Sequence, residues 1–224
     1  MDRSNGIVFL FDVDGTLFDN DRLKADLEVK VMEDYGPKAA RRFWAIYEDL
    51  RAANDYADPI GTVERFRLEH MHAPGILTLA TWLMEYPYPE RLYPDALAVV
   101  RHARRWGLPV ILTDGDGVFQ PYKLERSGLL AAFDGHALDY IHKEKELAAI
   151  EVAYPAAQYV VVDDKPAVLG AIKKAWGKRV TTISVRQGHY ALDAPRNAEY
   201  PAADISIDRI AELMLHEFSA LVPV

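Results

Sequence analysis

The sequence predicts an α/β fold: a parallel β-sheet with helices on both faces and one helical block inserted after the first strand. Three observations carry this. Short apolar runs of strand length end in acids or a hydroxyl, as in Ile7 to Asp12, Val110 to Thr113 and Tyr159 to Asp164. From about residue 93 onward such runs alternate with helical stretches joined by short connections, the pattern of strands laid side by side with helices packed over them. Residues 19 to 92, in contrast, contain no convincing strand.

The elements follow in order. Ile7 to Phe11 is a β-branched and aromatic run suited to a strand buried on both faces. Asp21 to Tyr35, Lys38 to Asn54, Thr62 to His70 and Ile76 to Glu85 read as helices, broken at Gly36-Pro37, Asp58-Pro59 and Pro74-Gly75. Tyr86 to Pro94 carries three prolines, each disfavouring helix at the residue before it, and predicts a stiff extended return to the core. Beyond it the pattern predicts a helix to Trp106, a strand to Thr113, a helix from about Pro121 and a short strand near Ala137 to Ile141. A helix to Tyr154, a strand to Asp163, a helix over Pro166 to Trp176 and a strand over Arg179 to Val185 complete the alternation. The domain division is therefore 1–18 with 93–224 as the α/β core, and 19–92 as the helical block.

Strands of open α/β sheets present their chemistry where they stop, so Asp12 stands at a carboxyl end. Alternation places Asp12 and Asp14 on the same side of an extended chain when Val13 points away. Two carboxylates held together repel, and one takes up a proton unless a cation joins them. A divalent ion resolves this.

Asp12-Val13-Asp14-Gly15-Thr16-Leu17 resembles the first signature motif, D-x-D-G-T-L, of the haloacid dehalogenase superfamily. The other stations follow in order: Thr113 after the second apolar run, the basic segment His142-Lys143-Glu144-Lys145, and Asp163-Asp164 after the third. The resemblance covers residues 7 to about 176. It implies a Rossmann-like core and makes the helical block a C1 cap.

The same resemblance implies a Mg²⁺-dependent phosphatase that hydrolyses a small phosphorylated metabolite. Asp12 is then the nucleophile that forms a transient acyl phosphate, and Asp14 the acid and base for the leaving oxygen and the attacking water. Thr113 donates to a phosphoryl oxygen, with Asp114 and Gly115 beside the substrate, and Lys143 supplies a point charge. Lys145 competes for that role, but Lys143 sits just ahead of the helix. Asp12, the backbone carbonyl of Asp14 and Asp164 make up the metal ligands, with Asp163 a second ligand or an orienting neighbour, a set of oxygens that suits Mg²⁺. Asp163 and Asp164 are equally placed to cap the helix at Pro166. Where the family often has a further acid, four residues after Asp164, this chain has Val168. Arg186 and His189, in the loop after the last apolar strand, are candidates for substrate contact, against the reading of that loop as a plain surface turn. Trp44, Tyr47, Tyr56, Phe66, His70, His72 and Trp82 are read as the cap's own core, with some free to line a pocket.

Alternative functions are a haloacid dehalogenase, disfavoured by the acid at Asp14, and a phosphomutase, which passes phosphate to a second sugar hydroxyl. A phosphorylatable receiver-like module fits less well: receivers place the acid pair before the acceptor, whereas here the nucleophile comes first. A non-catalytic binding protein is a further alternative, against which all four stations keep suitable chemistry.

Composition bounds the rest. The 224 residues suffice for one core and an inserted module. Zero cysteines exclude a disulfide scaffold and thiolate metal sites, consistent with a cytoplasmic location. The polar start Met1 to Gly6 lacks a signal-peptide pattern, and no apolar run approaches membrane-spanning length. A net charge of −8 with interspersed signs gives no nucleic-acid footprint. A monomer or homodimer is expected.

Overall fold

A computed structural model describes residues 6–72, 75–193 and 197–221. The polar start Met1 to Asn5 and the break residue Pro74 lie outside the described residues. Six parallel strands form one sheet in the order β3-β2-β1-β4-β5-β6. They are β1 Ile7–Phe11, β2 Leu108–Asp114, β3 Ala137–Tyr140, β4 Gln158–Asp163, β5 Val180–Val185 and β6 Ile205–Ile207. β1 is central, and every one of its residues is buried, which is why the sequence there is continuously apolar rather than alternating. Its side chains divide between two cores. Ile7, Phe9 and Phe11 join one, and Val8 and Leu10 the other, as a period of two requires.

Between β1 and β2 come α1 Asn20–Asn54, α2 Pro59–Glu69 and α3 Ile76–Glu85. α1 is kinked rather than continuous: Gly36 adopts φ +80° and ψ 170°, and Pro37 opens the second arm, so the predicted break is present inside one long helix. Asp19 caps the first arm by accepting from the Arg22 amide, and Asp58 caps α2 by accepting from the Gly61 amide. The aromatic block does not form a core of its own: Phe66 is fully buried and edge-on to Phe43 and Tyr35, and these rings join the same apolar cluster as Phe9, Phe11 and Phe18, because the inserted helices lie against one face of the α/β core. His72 is exposed, while Tyr47 and Tyr56 face a cavity.

The return to the core differs from expectation. Tyr86 to Pro94 is not extended throughout: Tyr88–Arg91 forms a 3-10 turn, with Pro89 supplying the fixed φ of its second position and Glu90 donating to the Pro87 carbonyl. The outgoing and returning segments are stitched together, Asp19 donating to the Arg91 carbonyl and Tyr93 to that of Leu17.

The core helices are α4 Ala96–Ala103, α5 Phe119–Arg126, α6 Leu129–Ala132, α7 Leu147–Ala153, α8 Pro166–Trp176 and α9 His189–Leu192. Among the described residues no helix is long and apolar enough to cross a membrane.

Candidate active site

β1 and its neighbours β2 and β4 deliver their carboxyl ends to one place. Asp12 follows β1, Thr113 and Asp114 end β2, and Asp163 ends β4 with Asp164 just after it. The chain leaves the sheet through Val13, Asp14 and Gly15, with Gly15 at φ +85°. A side chain at Gly15 is excluded twice over: that φ favours glycine, and an added Cβ would stand 2.2 Å from Asp164 Oδ2.

Asp12 is buried at 3% exposure and both of its oxygens are engaged. Lys143 Nζ donates to Oδ1 at 2.5 Å, and Thr16 Oγ1 donates to Oδ2 at 2.9 Å. Burial pushes this carboxyl up, but the charges of Lys143 and Lys165 and the two hydrogen bonds outweigh it and hold it below the usual carboxylate range. Lys143 is itself fully enclosed, with its Nζ 2.7 Å from Asp163 Oδ2 and 3.2 Å from the Leu112 carbonyl. Burial disfavours its charge, yet Asp12 and Asp163 raise its pKa above the ordinary lysine value. Lys145 is exposed, and it is Lys143 that reaches the acids. His142, at φ +65°, turns the chain so that Lys143 points inward, and the Lys143 amide donates to Asp114 Oδ1 at 2.7 Å.

Asp14 sits apart from the other acids. Its oxygens accept from Lys123 Nζ at 2.6 and 2.7 Å, and Gln120 Nε2 bridges Asp14 and Thr113, at 3.4 and 2.7 Å respectively. Gly115 is pressed against this bridge, where a Cβ would lie 2.6 Å from Gln120.

Asp12, Asp163 and Asp164 offer carboxylate oxygens all within 4.8 Å of one another. Both oxygens of Asp164 are buried without a hydrogen-bond partner among the described residues. Burial, then Asp12 and Asp163, push its carboxyl up to about 9, and burial pushes Asp163 up to about 6 against the pull of Lys143. Gly15 and Gly188 flank the Asp164 carboxylate, and a Cβ at Gly188 would meet it at 2.3 Å. Three hard oxygen donors, two orphaned atoms and a cradle that excludes side chains fit a small divalent cation such as Mg²⁺. Asp14's carboxylate is outside this cluster, so its side chain is not placed as a ligand.

A cavity of about 730 Å³ opens between the core and the inserted helices. Asp14, Gly15, Asp164 and Lys165 line its floor; Lys24, Tyr47, Arg51 and Tyr56 line the insertion side; His189 and Tyr190 close the third side. Its size is that of a small-molecule site. Of the two loop candidates, His189 is a lining residue, bound to Asp21 at 2.6 Å, whereas Arg186 points to the surface in an ion pair with Asp208 and is not brought to the cavity.

Lys123, Gln120 and Lys165 escaped the sequence reading, and Thr16 stood in the first motif without an assigned role. Gln120 and Lys123 had a signal: they stand three apart on the apolar face of α5, where a buried polar residue needs a polar destination. Lys165 had only its position beside two acids.

A family model described as haloacid dehalogenase-like hydrolase matches residues 8–176. The chain is similar to a solved structure from Burkholderia xenovorans LB400, described as a haloacid dehalogenase-like hydrolase, with 45% identity, a TM-score of 0.89, and coverage of 98% of this chain and 100% of that one. Two more distant structures share the fold. One is an L-2-haloacid dehalogenase from Xanthobacter autotrophicus, at 18% identity, TM-score 0.60 and coverage of 93% and 96%. The other is the HAD-hydrolase YfnB from Bacillus subtilis bound to magnesium, at 17% identity, TM-score 0.62 and coverage of 93% and 97%. No curated protein matches the sequence.

Proposed function

Because the chain belongs to the haloacid dehalogenase-like hydrolases, we propose that it is a phosphatase that hydrolyses a small phosphorylated metabolite through a phosphoryl group carried on Asp12. The observation that carries this reading is the placement of two acids two residues apart. Asp12 lies in a cluster of acids and Lys143, and Asp14 lies outside that cluster on the cavity floor. A nucleophile and a separate proton carrier are what hydrolysis of a phosphate ester requires.

Asp12, held ionised by Lys143, Lys165 and Thr16, attacks phosphorus, and the bond from phosphorus to the leaving oxygen breaks. Asp14 gives that oxygen its proton. Asp14 then takes a proton from water as the water attacks phosphorus, inorganic phosphate departs, and the Asp12 carboxylate is restored. Thr113, whose oxygen already accepts from Gln120, has its hydroxyl hydrogen free to donate to a phosphoryl oxygen. Asp12, Asp163 and Asp164 would hold Mg²⁺, with the Asp14 carbonyl as a further donor. When bound, the ion supplies positive charge against the phosphoryl oxygens. Residues 19–92 serve as a cap over the core of 1–18 and 93–224, limiting water at the site and contributing the cavity wall that selects the substrate.

The test is phosphate release from p-nitrophenyl phosphate and a panel of phosphorylated metabolites, with Mg²⁺, with chelator, and with Asp12→Asn. Turnover that needs both the ion and Asp12 is expected. The rival is dehalogenation, which leaves no alcohol to protonate and so gives Asp14 no task. Halide release from 2-chloropropionate with no phosphate release from any ester would replace the phosphatase reading.

A further inference from the structure

Two cations on the inserted helix have no role in the chemistry described. Lys24 and Arg51, on opposite arms of α1, both line the cavity. Lys24 has no carboxylate within ion-pair distance among the described residues; its ammonium lies over the Tyr47 ring, 5.5 Å from the centroid. Arg51 donates to Tyr190 Oη at 2.6 Å, which anchors the guanidinium across the cavity to the core, and lies 3.4 Å from the exposed Glu48. Burial and the neighbouring Arg51 charge together hold the Lys24 ammonium below the ordinary lysine range, with Asp14, Asp21 and Glu48 opposing at longer reach. Lys24 and Arg51 thus put two mutually repelling positive charges on the wall of one cavity, a cost that a bound anion lowers.

We infer that Lys24 and Arg51 form a second anion subsite, so that the substrate is a phosphate ester whose leaving group carries its own anionic group, a carboxylate or a second phosphate. The inference rests on the phosphatase reading for the position of the first phosphate. The geometry adds the rest: Asp14, Asp114 and Asp164 at the strand ends line the same cavity as Lys24 and Arg51, and Tyr47 stands beside Lys24. Arg51's fork suits two oxygens of one anion, and Lys24 adds a point charge.

The experiment compares esters matched except for the second charge. 3-Phosphoglycerate against glycerol 3-phosphate tests a carboxylate, and fructose 1,6-bisphosphate against fructose 6-phosphate tests a second phosphate. Wild-type protein should favour the more anionic member of at least one pair by about tenfold or more in kcat/KM, the worth of a charged hydrogen bond. Lys24→Glu, and separately Arg51→Met, should remove that preference. Phosphate release from p-nitrophenyl phosphate with no preference in either pair overturns the inference and leaves the phosphatase reading standing. Binding gives an independent reading: by calorimetry on Asp12→Asn protein with Mg²⁺, the more anionic member should bind more tightly, and Lys24→Glu in that background should abolish the difference. Equal affinities within both pairs overturn the inference whether or not any ester is hydrolysed.

Discussion

Lys123 grips both carboxylate oxygens of Asp14, at 2.6 and 2.7 Å, from 109 residues further along the chain. Its side chain is 3% exposed and that of Asp14 24%, so the pair sits at the cavity edge with the lysine as its buried member. Lys123 thereby fixes where the proposed proton carrier rests while Asp12 is held elsewhere by Lys143.

Replacing Lys123 by Met should therefore damage proton delivery more than binding. We expect kcat for an alkyl phosphate to fall on the order of 10²-fold, the worth of one acid–base group, with KM changed much less. With p-nitrophenyl phosphate, whose leaving oxygen needs no proton, the loss should be smaller. A raised KM with kcat unchanged would separate Lys123 from the proton.

Lys143 is the charge that lets Asp12 and Asp163 share a buried space, at 2.5 and 2.7 Å from its Nζ. Lys143→Ala leaves those acids facing each other without it and should destabilise the fold by about 3–5 kcal/mol, read from urea unfolding. Adding the Asp163→Asn change should recover part of that loss, because one of the stranded charges is then gone.

Metal loading should stabilise the protein through Asp164, whose two oxygens have no protein partner among the described residues. With Mg²⁺ at about a hundred times its dissociation constant, linkage gives a gain of about 2.7 kcal/mol, visible as a raised Tm. Asp164→Asn should lose most of that rise. Gly188→Ala should lose it too, since its Cβ would stand 2.3 Å from Asp164 Oδ2.

Asp139 on β3, paired in register with Thr113, supplies a pH signature. Burial, reinforced by Asp116 and Asp114, pushes its carboxyl up to about 7, and its Oδ1 has no hydrogen-bond partner among the described residues. The unfolded chain releases this proton near pH 4 and the folded chain only near 7, so the group costs stability progressively as pH rises across that window and evenly above it. Asp139→Asn has no such slope. Its Tm, relative to wild type, should climb from pH 4 to 7 and then level off; a constant difference would contradict the assignment.

How much of this was legible in the sequence depends on the signal each part carries. β1, β2 and β4 were plain because strands buried on both faces must be continuously apolar, and the acids that end them mark where the sheet stops. β6 is three residues long, Ile205-Ser206-Ile207, too short to show a period. The turn at Tyr88–Arg91 was hidden because its prolines serve extended chain and a 3-10 turn alike. At the site, residues on the strand-end motifs came together in the structure, since topology alone carries them there. Lys123 and Lys24 did not announce themselves: a helical lysine reads as a solvated charge until the fold shows what lies at the end of its side chain. Arg186 erred in the other direction. Its loop emerges on the correct side of the sheet, but Asp208, after β6, pairs with it at the surface.

The most direct test is to quench the protein with acid while it turns over p-nitrophenyl phosphate with Mg²⁺, and to map its peptides by mass. The peptide containing Asp12 should carry one phosphoryl group that is labile to hydroxylamine and absent from Asp12→Asn. Phosphate release with the label on another residue, or undiminished release by Asp12→Asn, would contradict a reaction carried on that carboxylate.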